Sequence, residues 1–290
     1  MDALGWATTW VDRVWAKREP GAMEELMHPE CVFTELAGGS WDAKGHEPFR
    51  NNVKLFTNAV PDFHADFLLV ISEGEWLSWA AHCKGTIRDT LFGEHMVGQP
   101  FNMVSLTFGR IQNNQICRAY NFVTFNQPNI VLPGWRVVPL RRSNGVDPSQ
   151  VASSRRTPDG LLLAYANRVW GGSRDTDLDS IVAPDVAITE ANAWGYETTG
   201  IDSVRKNSDW FGLQMPSPEL RVLLKITEGN AAALMFEITG RVAGAGFGRA
   251  AIGNSVTIRG MLIGTVENDL LVHAYSHLDF NHIGTELPAP

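Results

Sequence analysis

Cysteine is scarce in this 290-residue chain: the three present, Cys31, Cys83 and Cys117, all fall in the first half and share no spacing. An odd, unpatterned set argues against a disulfide framework and for a reducing compartment, hence a cytoplasmic location. Basic residues are also the minority, 24 Lys and Arg against 32 Asp and Glu, for a formal net charge of −8. Nucleic acid is not expected as a partner, because phosphate recognition needs a clustered excess of cationic side chains. The one basic stretch, with Arg136, Arg141, Arg142, Arg155 and Arg156, reads as a solvated connector. No apolar run approaches the ~18 residues that cross a bilayer, so no membrane segment is expected. The N-terminal stretch has no basic leader and is interrupted by Asp12 and Arg13, which argues against a signal peptide.

What the chain does contain is a repetition. The segment RAYNFVTFN from Arg118 to Asn126 returns as HAYSHLDFN from His273 to Asn281, displaced by 155 residues. The same offset, without a gap, pairs Arg13-Val14-Trp15 with Arg168-Val169-Trp170, Thr34-Glu35 with Thr189-Glu190, Gly45 with Gly200, and Phe92-Gly93 with Phe247-Gly248. Glycines recurring at fixed places mark backbone geometry, so one domain is written twice. The expected division is a first domain over 1–127, a linker rich in Pro and Arg over 128–158, and a second domain over 159–284.

Each copy reads in the same order. Apolar residues at three- and four-residue spacing (Leu4, Trp10, Val14) predict a first helix, with LLLAYANRVW as its counterpart. Short helices over AMEELM and TDLDSIV follow, ended by Pro29 and Pro184. A strand rich in β-branched residues then closes on Glu35 or Glu190, an aromatic loop contains Trp41 or Trp194, and a third helix runs to about residue 57 or 212. Strands separated by turn signals at Glu73-Gly74, Asn113-Asn114 and their counterparts make up the rest. Helices first and strands later give an α+β unit with its helices on one face of a curved sheet.

This order, with a last strand reading AYxxxxF, resembles the NTF2-like (cystatin-like) superfamily, and within it the SnoaL-like polyketide cyclases and ketosteroid isomerases. The resemblance covers both copies. It implies two tandem α+β cones, each of three N-terminal helices packed on a curved antiparallel sheet around an apolar interior. It also implies a cofactor-independent acid–base enzyme, of cyclase, isomerase or dehydratase type, acting on a small hydrophobic or aromatic metabolite. The alternative is a non-catalytic small-molecule binder on the same cone. Members pair through their sheets, so the two copies are expected to form an intramolecular pseudo-dimer, with room for a further homodimer.

Glu35 and Glu190 fall where the isomerases carry their general base. Asp279 follows Tyr275 at the spacing of the cyclases' catalytic Asp, and strand alternation puts His273, Tyr275, His277 and Asp279 on one face, about 7 Å between neighbours. The expectation is an active pocket in the second copy, with Asp279 and His277 as acid and base and Glu190 and Tyr275 orienting substrate. Tyr120 is Tyr275's counterpart in the first copy. His82 and Glu237 hold equivalent places in otherwise apolar strands and are candidates for a shared titratable position. Trp41, Trp194 and Tyr165 are candidate ligand contacts. The isomerases' protonated oxyanion acid has no counterpart, since that strand offers Val104 and Arg259. No metal is expected: His273 and His277, four apart on a strand, diverge.

Overall fold

The computed structural model describes residues 1–36, 41–122, 156–173, 175–190 and 196–279. In the first unit, α1 (Ala3–Trp10) runs into a π-helical turn (Val11–Ala16), and α2 (Ala22–Leu26) leads directly into β1 (Met27–Glu35). After β2 (Trp41–Lys44) and α3 (His46–Ala59) come four strands: β3 (His64–Glu73), β4 (Trp76–Thr86), β5 (Pro100–Gln112) and β6 (Gln115–Phe122). The second unit repeats the plan with α4 (Pro158–Val169), β7 (Val182–Glu190), β8 (Tyr196–Thr199), α5 (Ile201–Gln214), β9 (Glu219–Glu228), β10 (Ala231–Arg241), β11 (Ser255–Glu267) and β12 (Leu270–Leu278).

Local chemistry sets the boundaries. The Asp2 carboxylate accepts from Gly5 N at 2.7 Å to cap α1, and Thr157 caps α4 with Pro158 in the first turn, where a missing N–H costs nothing. The Asn113-Asn114 and Asn268-Asp269 turns have positive φ at both residues, the twist that two-residue hairpins need. Gly45 and Gly200, both at φ 78°, swing the chain from β2 and β8 into α3 and α5.

The two sheets have identical order, β2-β1-β6-β5-β4-β3 and β8-β7-β12-β11-β10-β9, so the chain is two tandem α+β cones. Three expectations need correction. Each sheet is antiparallel except where its first long strand pairs with its last, β1 with β6 and β7 with β12, in parallel. Pro29 and Pro184 do not end helices but lie within β1 and β7, near irregular pairing that tolerates a missing donor. The second helix of the second unit shrinks to a single 3-10 turn, Leu178–Ser180.

Each sheet has one face under its own helices and one toward the other unit. The helix-covered faces hold one core with Trp6, Trp10, Phe33 and Phe49, and another with Tyr165, Trp170, Phe211 and Phe236. A further core draws on both units: Ile71, Leu106, Phe108 and Phe122 pack with Ile226, Met235, Met261, Ile263 and Tyr275. At its edge, equivalent residues exchange hydrogen bonds. Ser72 N donates to Glu228 at 2.5 Å, and Thr227 N donates to Glu73 at 2.9 Å. Part of each outer sheet face is therefore buried as well, which decides how the functional candidates are placed.

Candidate functional site

The first unit has a partly open cavity of ≈ 70 Å³ between its helices and the inner face of its sheet. That is room for several waters or a small organic fragment. Seven aromatic residues contribute to its wall, from Trp10 and Trp15 at the helical side to Phe33, Trp79 and Phe101 on strands. Small residues on β4 and β5, Ala81, Cys83 and Ser105, leave the space open.

One strip of this wall is polar. Glu35, at the end of β1, is 2% exposed and accepts from Asn121 Nδ2 at 2.7 Å. The Asn121 carbonyl in turn accepts from the Thr107 hydroxyl at 2.7 Å. Thr107 thus fixes which way the amide points, and its NH2 group faces the carboxylate. Asn52 of α3 lines the same cavity. Thiol chemistry is poorly supported, since burial pushes Cys83 up to about 11, leaving little thiolate at neutral pH.

In the second unit the corresponding space is built from larger side chains. Ala81 becomes Phe236, whose ring stacks on Trp170 with centroids 5.6 Å apart. Ser105 becomes Gly260, and a Cβ there would lie 2.6 Å from the Phe236 ring, so the glycine makes room for it. Thr107 and Cys83 become Leu262 and Ile238, both fully buried. The remaining acid, Glu190, accepts from Asn207 Nδ2 of α5 at 3.1 Å, because Ser276 stands where Asn121 would be. Tyr165, the counterpart of Trp10, is buried in this core edge-on to Trp170.

The last-strand group lies on the other side of its sheet. Tyr275 belongs to the core shared between the units, and the His277 ring stacks on Phe122 of the first unit with centroids 4.5 Å apart. His273 packs on Tyr275 at 4.6 Å, and Asp279, 3% exposed, donates its N–H to the Arg259 carbonyl at 3.0 Å. The inward residues of β12 include Leu271, Ala274 and Leu278. The expectation of a second-unit pocket served by His277 and Asp279 is therefore corrected: the faces were read in reverse, and a one-residue shift of parity moves every side chain across the sheet.

The same correction applies to three more candidates. Tyr120 lies under the Arg118 guanidinium, 4.2 Å from ring centroid to charge, and stacks with Trp76. His82 bonds Asn102 on the outer face, between the inward residues Ala81 and Cys83, and burial lowers its pKa. Glu237 is paired with Arg221 at 2.6 Å and Arg259 at 3.2 Å; the Arg221 bond first, then Arg259, hold it below the usual carboxylate range against desolvation. Val104 also faces outward, and its neighbours Met103 and Ser105 are the pocket residues. Trp41 sits opposite Glu35 in the β1–β2 register, but its side chain, like Trp194 and most of the 128–158 linker, lies outside the described residues. Asn52, Thr107 and Asn121 were missed. The signal for Asn121 was a polar residue bracketed by Tyr120 and Phe122 near the end of a strand.

Residues 6–122 match the family described as SnoaL-like polyketide cyclase. No curated protein matches the sequence. Among solved structures, a SnoaL-like polyketide cyclase from Agrobacterium tumefaciens is 14% identical, with a TM-score of 0.37, over 45% of this chain and 98% of that one. A protein of ketosteroid isomerase-like fold from Catenulispora acidiphila is also 14% identical, TM-score 0.37, over 47% of this chain and its whole length. No helix among the described residues is long and apolar enough to cross a membrane.

Proposed function

We propose that this chain of two tandem α+β units, the first matched by the SnoaL-like family over residues 6–122, is a pair of NTF2-like domains and a cofactor-independent acid–base enzyme whose working site is the first unit's cavity. The observation that carries this is Glu35, 2% exposed in an aromatic wall, with its orientation held by Asn121 and, through it, Thr107. A carboxylate fixed in a dry pocket can take a proton from a carbon next to a carbonyl, and the electron pair moves onto the oxygen as an enolate. Return of the proton to a second carbon gives isomerisation. Attack of the enolate on a second carbonyl gives cyclisation, and loss of a β-hydroxyl gives dehydration. The substrate class is a small, flat, largely apolar molecule with one oxygen function, which the aromatic wall and single polar strip favour.

The reciprocal Ser72–Glu228 and Thr227–Glu73 bonds support reading the pair of units as an intramolecular pseudo-dimer, because self-complementary exchange is what a two-fold interface produces. We divide the chain at the 128–158 linker accordingly. Three free cysteines support a cytoplasmic location.

The experiment uses 5-nitrobenzisoxazole, whose ring opens when a base removes its carbon-bound proton, to report on a buried carboxylate without knowledge of the natural substrate. Wild-type protein is expected to accelerate ring opening, and Glu35→Gln to lose at least about 100-fold of that acceleration. Equal rates for the two proteins would remove Glu35 as the base.

A further inference from the structure

The duplication supplies a control for one residue that the hydrogen-bond network of the first cavity does not use. Asn207 and Asn52 occupy the same helical position in the two units. In the second unit the Asn207 amide reaches across from α5 to the strand-end acid, donating to Glu190 at 3.1 Å. In the first unit the strand-end acid takes its amide from β6 instead, through Asn121. Asn52 makes no side-chain hydrogen bond among the described residues, yet it lines the cavity with Glu35. A half-buried amide beside an apolar cavity, without a partner among the described residues, is a donor held in reserve.

We propose that Asn52 is a catalytic residue of the first unit, donating its amide N–H to the substrate oxygen on which charge builds as Glu35 removes the neighbouring proton. In the second unit the equivalent amide bonds the equivalent acid, and in the first Asn52 and Glu35 line one cavity, an arrangement that lets a carbonyl whose α-carbon meets Glu35 present its oxygen to Asn52. In the step, the C–H bond breaks, its proton passes to the Glu35 carboxylate, its electron pair forms the enolate C–C double bond, and the carbonyl π pair moves to the oxygen that accepts from Asn52. The proton leaves Glu35 for the product, so no further reactant is needed. The ligand must therefore carry an acceptor oxygen on the atom bonded to the acidic carbon; a hydrocarbon of the same shape fills the aromatic wall without using Asn52.

This inference rests on Glu35 being the base, and the test separates the two. Ring opening of 5-nitrobenzisoxazole breaks the N–O bond as the proton leaves and places the negative charge on the ring oxygen, so it senses a donor as well as a base. Asn52→Leu keeps the volume and suits the apolar wall, and its fold is checked by thermal unfolding. The expected result is a fall in kcat of roughly 10- to 100-fold with KM little changed, and an unchanged rate for Asn207→Leu. A rate equal to wild type in a folded Asn52→Leu protein, alongside a dead Glu35→Gln, overturns the role of Asn52 alone. Full activity in Glu35→Gln removes the base and the Asn52 role with it. Should Asn52→Leu unfold, Asn52→Ser is read in its place, with the same expected loss in kcat.

Discussion

The two units share every main strand of the sheet and its order, yet the first is hollow at inward positions that, among the described residues, larger side chains occupy in the second. The difference is concentrated at a few inward positions: Ala81, Cys83, Ser105 and Thr107 on one side, Phe236, Ile238, Gly260 and Leu262 on the other. The second unit shows one way the sheet closes such a space: a large ring is inserted and the residue opposite is cut back to glycine to receive it. The hollow unit forgoes those contacts around a carboxylate and two polar partners. Space kept open next to a fixed acid is what distinguishes a site from a core.

The strongest way to break this comparison is to convert one unit into the other. Ala81→Phe combined with Ser105→Gly copies the Phe236–Gly260 pair into the first unit. It is expected to fold with a stability within about 1.5 kcal/mol of wild type, by urea unfolding, and to lose essentially all benzisoxazole turnover. The reverse change, Phe236→Ala, removes a fully buried ring with no water to replace it, and is expected to cost about 3–5 kcal/mol while leaving turnover intact. A smaller effect tests the contact between units. Glu228→Ala strips the Ser72 N–H of a charged acceptor and is expected to cost about 1–2 kcal/mol, whereas Glu73→Ala, at the more exposed end, costs less.

The smallest effect separates His82 from Glu237, which hold one position on the outer faces. Both bind protons more weakly in the folded protein, His82 chiefly through burial and Glu237 chiefly through its bond to Arg221. Stability linked to His82 is present above roughly pH 6.5 and lost as pH falls through its lower folded value; for Glu237 the corresponding window opens below about pH 4.3. With Arg221 largely exposed, the Glu237 contribution is expected to stay below about 1 kcal/mol. Urea midpoints measured from pH 3 to 8 for His82→Gln and Glu237→Gln should flatten in those two separate windows.

The repeat, the order of elements and the turns were legible because they rest on glycine and asparagine positions and on apolar spacing, which the chain states locally. Glu35 was legible because it ends a strand, where chain direction leaves little choice. The last strand was not. His273, Tyr275, His277 and Asp279 form an alternating set, but alternation names two faces without saying which is inside. Polar and aromatic residues on an apolar strand usually mark a pocket; here the outer face is buried too, against a second copy, so His277 meets Phe122 instead of a ligand. Asn52 was illegible for another reason: its significance comes from what Asn207 does and Asn52 does not.

Ligand stoichiometry addresses the difference between the two units most directly. Calorimetric titration of the chain with 2-naphthol, a flat molecule with one oxygen, is predicted to give one site per chain, abolished in the Ala81→Phe, Ser105→Gly protein. Two sites per chain, or one site that survives the filling of the first cavity, would contradict the account.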